Sequence, residues 1–169
     1  LQKTKSNKNI DCFSNQIFTK LFQEKYNHVR KYINGDGLNT NLNDNSYDTV
    51  YSSATIEHVG SFENQIKLVK ESYRISKSFV FITTPNRYYP IDFHTKLPFF
   101  HWLPKKIHRK ILKIFGLEFF SKEENLNLMS KKDIHEIMRI LNFQMNINLN
   151  VQLQKFFVKL TYHFLKIYF

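Results

Sequence analysis

Hydrophobic positions along this chain recur with two periods, and the switches between them mark the elements. Residues 1–9 are polar and aperiodic and read as a loop or frayed end, while Ile10-Asp11-Cys12 closes a short strand. Over 14–26, Ile17, Phe18, Leu21, Phe22 and Tyr26 recur at helical spacing behind Ser14 as N-cap. Residues 29–33 mix apolar and basic side chains and meet Asn34-Gly35, the pattern of a strand ending in a turn. A polar loop over 39–46 leads to a strand over 47–52, centred on Val50 and Tyr51. A helix over 61–76 carries Phe62, Ile66, Val69 and Tyr73 on one stripe. The run F-V-F-I-T-T over 79–84 stops at Pro85, and its continuous apolarity predicts a strand covered on both faces.

Strand, helix, strand in that order predicts a crossover and a parallel sheet, hence an α/β fold. Residues 86–104 hold Pro90, Pro98, Pro104, His94, His101 and Trp102, and loops of such length are usually functional or disordered. A basic helix over 105–115 places Ile107, Ile111, Leu112 and Phe115 on one side and stops at Gly116. Another helix over 130–141 has Ser130 as N-cap, Asp133 suited to the dipole, and Ile134, Ile137, Met138 and Leu141 buried. Residues 143–153 alternate strictly, which predicts a strand with one wet face. The aromatic segment 154–169 fits a helix through Phe157, Leu160, Phe164 and Tyr168 and also a strand; helix is the reading taken.

Composition narrows the class. The 169 residues suit one domain with a real core, so 1–169 is read as a single unit with 86–120 as an inserted lid. The 17 Phe and 9 Tyr predict a core built largely from rings. The net charge of +11 reads in two ways: attraction to anions, or the Lys-, Asn- and Ile-rich drift of an AT-rich genome. The lysines are scattered and no nucleic-acid motif accompanies them, so no nucleic-acid partner is expected. Cys12 is the single cysteine, which excludes a thiolate metal cage and an internal disulfide and fits a reducing, cytoplasmic compartment. No apolar run has the length of a membrane helix.

The candidate chemistry sits at strand ends. Ligands of open α/β sheets bind outside the carboxyl ends of the strands. Asp36 lies in the turn Gly35-Asp36-Gly37, where the glycines admit close backbone approach to a ring. Ser52 and Ser53 follow a strand, and Glu57-His58 follow them. His58, and His94 in the Pro-rich loop, are candidate acid–base residues, whereas Glu57 reads as a helix-start charge. No H-x-x-x-H pair is present, so no metal site is expected, and Ser53 lacks the flanking glycines of a nucleophile elbow.

The segments G-D-G-L (35–38), N-S-Y-D-T-V-Y-S-S-A-T-I-E-H-V (45–59) and R-I-S-K-S-F-V-F-I-T-T-P-N-R (74–87) stand in the order and spacing of one family. Residues 10–143 resemble the class I S-adenosylmethionine-dependent methyltransferases, type 11 subgroup. The resemblance implies a Rossmann-like, mostly parallel sheet ordered 3-2-1-4-5-7-6, with helices on both faces. It implies S-adenosylmethionine as cofactor, with Asp11 at the ribose, Asp36, Gly37 and Leu38 near the adenine, and Ser52 and Ser53 beside the methionine portion. The family opens with an apolar strand and a Gly-rich loop, whereas the first glycine here is Gly35. The expectation is therefore an N-terminally incomplete domain, either part of a longer protein or a degenerate copy, whose open inner sheet edge can pair with another chain.

The function expected is methyl transfer to a small-molecule or lipid- or sugar-linked acceptor, with His58 and His94 on the acceptor side. The alternatives are a non-catalytic remnant or interaction domain, and a basic protein in weak peripheral contact with an anionic membrane.

Overall fold

The computed structural model describes residues 9–145 and 156–161. The chain forms two compact units, Leu1–Asn41 and Leu42–Phe169.

In the first unit, β1 (Asp11–Ser14) and β2 (Lys31–Asn34) pair in parallel, Asp11 opposite Lys31 and Ser14 opposite Asn34. Helix α1 (Lys20–Lys25) connects them and is shorter than its apolar spacing predicts. Thr19 caps it, accepting from the Phe22 amide, because Ser14 belongs to β1 and its hydroxyl accepts from Gln16 instead. The ring of Phe22 on α1 stands edge-on to Tyr32 of β2 at 6.1 Å, and Phe18 just before the helix lies 4.9 Å from the same ring, so aromatic contacts hold the helix to the strands. Gly35 is required by close approach: a Cβ there would stand 2.9 Å from the Phe13 ring.

In the second unit, β3 (Tyr47–Ser53), β4 (Ser76–Pro85) and β5 (Phe156–Thr161) form a parallel sheet in the order β3-β4-β5. Val50 pairs with Val80 and Ser53 with Thr83. Helix α2 (Phe62–Ile75) makes the crossover from β3 to β4, capped by Ser61 as its hydroxyl accepts from the Asn64 amide. Helices α3 (Lys105–Ile114), α4 (Glu118–Ser121) and α5 (Lys131–Met145) follow. Ser130 and Asp133 close a reciprocal cap at the start of α5, each side chain accepting from the other's amide. Every strand pair is parallel, so the α/β class expected from the sequence stands.

Several local expectations are corrected. Val80, Ile82 and Thr84 of β4 are buried, Ile82 and Thr84 beside Val69 of α2 and Ile137 of α5. On the opposite face Thr83 is buried while Phe79 is 46% and Phe81 37% exposed, so β4 is covered less completely on that face than on the other. Helix α2 buries Gln65, Leu68, Val69, Ser72 and Ile75, while Phe62, Ile66 and Tyr73 are only half-buried. The face is turned because Gln65 donates inward to the carbonyls of Ile56 and Asn127. Helix α3 is turned as well: it buries His108 and Leu112 and leaves Ile107 and Phe115 exposed. Helix α5 runs through Met145, so 143–145 are helical rather than extended, and the rest of the strand expected over 143–153 lies outside the described residues. Within the aromatic segment Phe156–Thr161 forms strand β5 rather than part of a helix, because it finds the open edge of β4 from Val80 to Pro85, and the rest of the helix expected over 154–169 lies outside the described residues.

Removing side-chain volume on the two faces of β4 should separate them. Ile82→Ala, at a residue with 0% exposure, should lose about 2–5 kcal/mol in urea unfolding, and Phe81→Ala clearly less.

Candidate functional site

The carboxyl ends of β3 and β4 converge on one cluster. Past Ser53, the amide of Ala54 donates to the Thr83 carbonyl at 2.8 Å, with Ala54 in the left-handed region at φ 49. Ser53 also accepts from the Thr83 hydroxyl at 3.0 Å. The chain then winds into a single tight turn, Ile56–His58, that drives Ile56 and Glu57 inward and leaves His58 at the surface. Glu57 is 0% exposed, so it is no surface helix-start charge. Its Oε2 accepts from the Thr84 hydroxyl at 2.9 Å, and its Oε1 has no hydrogen-bond partner among the described residues. Its carbonyl accepts from the Asn127 amide at 2.7 Å.

The loop after β4 supplies the other half. It is held by backbone bonds from Arg87 to Met129 and from Phe99 to Pro90, and by the bridge of Ile91 with Pro98. Inside it, buried Asp92 accepts from the Thr95 hydroxyl at 2.6 Å, from the His94 amide at 3.2 Å and from His94 Nδ1 at 3.1 Å. Burial alone would raise the Asp92 carboxyl, but these hydrogen bonds outweigh it and hold the group down at about 2. His94 Nε2 then points at His58 Nε2, 3.1 Å away. His58 Nδ1 faces the Asn125 carbonyl at 2.6 Å, and a carbonyl only accepts, so that nitrogen carries the hydrogen. Both rings therefore turn Nε2 toward one point, and Glu57 Oε1 lies 4.0 Å from each.

A second buried group of basic residues lies beside α3. His101 Nε2 donates to the Tyr89 carbonyl at 2.6 Å, and Lys105 Nζ donates to Asn127 Oδ1 at 2.6 Å. Burial lowers Lys105. Burial also pushes the His108 imidazole down to about 4 from its ordinary 6.5, only partly offset by the Asp92 charge.

The structure distributes the sequence-derived residues unequally. His58 and His94, 36 positions apart, are brought into contact. Ser52 and Ser53 end β3, as expected. Asp36, Gly37 and Leu38 follow the carboxyl end of β2, where the Asp36 carboxylate accepts from the Leu38 amide at 2.9 Å. Asp11 is placed otherwise. It begins β1 rather than ending it, at the opposite end of the two-stranded sheet from Asp36. Its carboxylate is taken in bidentate fashion by the Arg30 guanidinium at 2.8 and 2.6 Å. Asp36 and Gly37 thus follow a strand's carboxyl end in the first unit and Ser52 and Ser53 end a strand in the second, whereas Asp11 stands at the start of its strand. Asp92, Thr84, Asn125 and Asn127 escaped sequence reading, and Glu57 was read only as a helix-start charge, since nothing local distinguishes them from turn and surface residues.

Residues 8–81 match the family model described as a methyltransferase domain. Over that stretch the resemblance to class I S-adenosylmethionine-dependent methyltransferases is borne out, and S-adenosylmethionine is the cofactor it implies. Among solved structures, one similar chain is described as a SAM-dependent methyltransferase, possible histamine N-methyltransferase, from Thermotoga maritima. The identity is 18% and the TM-score 0.43, over 72% of this chain and 50% of that one, so this chain spans about half the length of that structure. No curated protein matches the chain.

Two outcomes test the site's internal bonding. Thr84→Val removes the donor to a buried carboxylate and should cost about 1–3 kcal/mol in thermal or urea unfolding. His108 stays neutral in the folded chain down to about 4, while the unfolded chain takes up its proton near 6.5. Its contribution to stability is thus complete above pH 6.5 and lost as pH falls toward 4. The melting temperature of His108→Phe should fall less steeply across that interval than that of the wild type.

Proposed function

We propose that this chain is the cofactor- and acceptor-binding part of a methyltransferase that uses S-adenosylmethionine. The observation that carries the reading is the match over 8–81 to a methyltransferase domain, together with a parallel β3–α2–β4 unit whose carboxyl ends carry Ser52, Ser53, Glu57 and His58. Asp36, Gly37 and Leu38 serve the adenine and Ser52 and Ser53 the methionine portion. The cofactor supplies an activated methyl group. The chain's task is to align an acceptor with it, and alignment of this kind is worth ~7–11 kcal/mol of a barrier.

The acceptor lies against His58, His94 and Glu57. Two bare imidazole nitrogens and a carboxylate suit an acceptor atom that must shed a proton, such as a hydroxyl or an amine. The loop over 86–104 and helices α3 and α4 wall this side, with Phe120 6.0 Å from the His94 ring. The whole of 1–169 acts as one methyltransferase domain with 86–120 as its acceptor-side insertion. Among the described residues β1 pairs only with β2, and β3 only with β4. The open sheet edge expected from the sequence stays part of this proposal, as a place where a further strand, from this protein or another chain, adds.

A second reading concerns where the acceptor resides. Phe99, Trp102, Leu103, Ile107 and Ile114 are exposed along and before α3, interleaved with exposed Lys106, Lys110 and Lys113. Apolar side chains among lysines suit the headgroup region of an anionic bilayer, and no described helix is long and apolar enough to cross one. The acceptor is then a lipid-linked molecule presented at that surface.

Calorimetry of the folded chain with S-adenosylmethionine should give saturable binding, weakened about 10- to 100-fold in Asp36→Ala. Absence of binding by the folded wild type would overturn the reading. Co-sedimentation with vesicles should require anionic lipid, weaken with salt, and drop sharply in Ile107→Asp. Equal pelleting with neutral vesicles, or none, rejects the membrane reading alone.

A further inference from the structure

The structure assigns a divalent transition-metal site to Glu57, His58 and His94. The donor atoms of the three residues lie within 4.8 Å of one another. Both histidines spend their Nδ1 hydrogens on fixed acceptors, the Asn125 carbonyl for His58 and the Asp92 carboxylate for His94. In the neutral rings the two Nε2 atoms are therefore both lone pairs, yet they face each other at 3.1 Å. Two lone pairs at that distance repel unless a cation lies between them. A single shared proton would bridge the nitrogens but hold its charge 4.0 Å from Glu57 Oε1, which has no hydrogen-bond partner among the described residues. A metal ion satisfies all three donors at once.

The spacing suits such an ion. Ligands about 2.0–2.1 Å from a tetrahedral zinc stand roughly 3.3 Å from one another. The nitrogens are already near that separation, and the Oε1 distance of 4.0 Å to each closes with a small rotation of the carboxylate. Each ligand also has the outer partner that metal ligands need for orientation. Asp92 fixes the His94 ring, the Asn125 carbonyl fixes the His58 ring, and the Thr84 hydroxyl fixes the second oxygen of Glu57. Two imidazoles and one carboxylate favour zinc or ferrous iron over magnesium, which prefers oxygen and water. Three protein ligands leave coordination positions open, and the His58 side chain is 36% exposed, so those positions reach solvent. A hydroxyl or amine bound there gives up its proton to water more readily. The placement of the ion is independent of methyl transfer; only its use on a methyl acceptor rests on that reading.

The test uses the full chain without an affinity tag, stripped by chelator, dialysed and titrated with zinc chloride alone. Calorimetry and elemental analysis should agree on one ion per chain. His58→Ala and His94→Ala should each weaken binding more than 100-fold, Asp92→Asn about 10- to 100-fold, and His135→Ala, on the exposed side of α5, should bind as the wild type does. Cobalt(II) should give a visible spectrum that is lost in His94→Gln, a second reading should His94→Ala fail to fold by circular dichroism. A folded wild type that takes up no zinc overturns the proposal, as does equal binding by the His58 and His94 variants. Zinc uptake without S-adenosylmethionine binding would leave the metal site standing and remove the methyl-transfer reading.

Discussion

Burial of the Glu57 carboxylate is the constraint around which the larger unit is arranged. A charge taken fully out of water must be met by donors or by another charge, or folding loses several kcal/mol. Glu57 is met from β4 by the Thr84 hydroxyl, and its backbone is pinned by the Asn127 amide. Asn127 is the counterpart that fixes the surroundings. Its side chain donates to the Gly60 carbonyl and accepts from Lys105, and its own carbonyl accepts from Gln65. One buried amide thus ties α2, the turn after β3 and the start of α3 to the same point. Gly60 can take part because it sits at φ 87, a conformation glycine adopts freely.

Function follows from where this knot lies. It occupies the carboxyl ends of two parallel strands, the side on which open α/β sheets bind ligands. The turn that buries Glu57 necessarily sends the next residue, His58, outward. The loop beyond β4 is long enough to return His94 to that position, and Asp92 fixes the ring it presents. Rigid support for the histidines is what distinguishes a site from a surface cluster: each ring has one nitrogen committed and one directed.

Much of the fold was legible from residue spacing. The parallel pair, the crossover helix, the stop at Gly116 and the Ser130–Asp133 cap follow local rules, and the structure has them where those rules put them. Where expectation failed, a contact distant in sequence had overruled a local preference. Helix α2 turned its face because Gln65 found two carbonyls, and Phe156–Thr161 became a strand because β4 offered an edge. Asp11 was expected at a strand's end and instead starts one, drawn into a bidentate pair by Arg30. His58 and His94 were identifiable singly as polar residues near strand ends; their pairing was not, since no spacing rule links positions in a turn and a distant loop.

By itself, then, the order of residues determined the α/β alternation, the parallel topology and the methyltransferase-like segment, because turns, caps and hydrophobic periods act over a few residues. The tertiary structure alone decided that Glu57 is buried, that Asp92 orients His94, and that two imidazole lone pairs meet at 3.1 Å beside a carboxylate oxygen with no hydrogen-bond partner among the described residues. Those facts depend on packing between segments far apart along the chain, where burial and geometry, rather than residue type, set what a side chain can do.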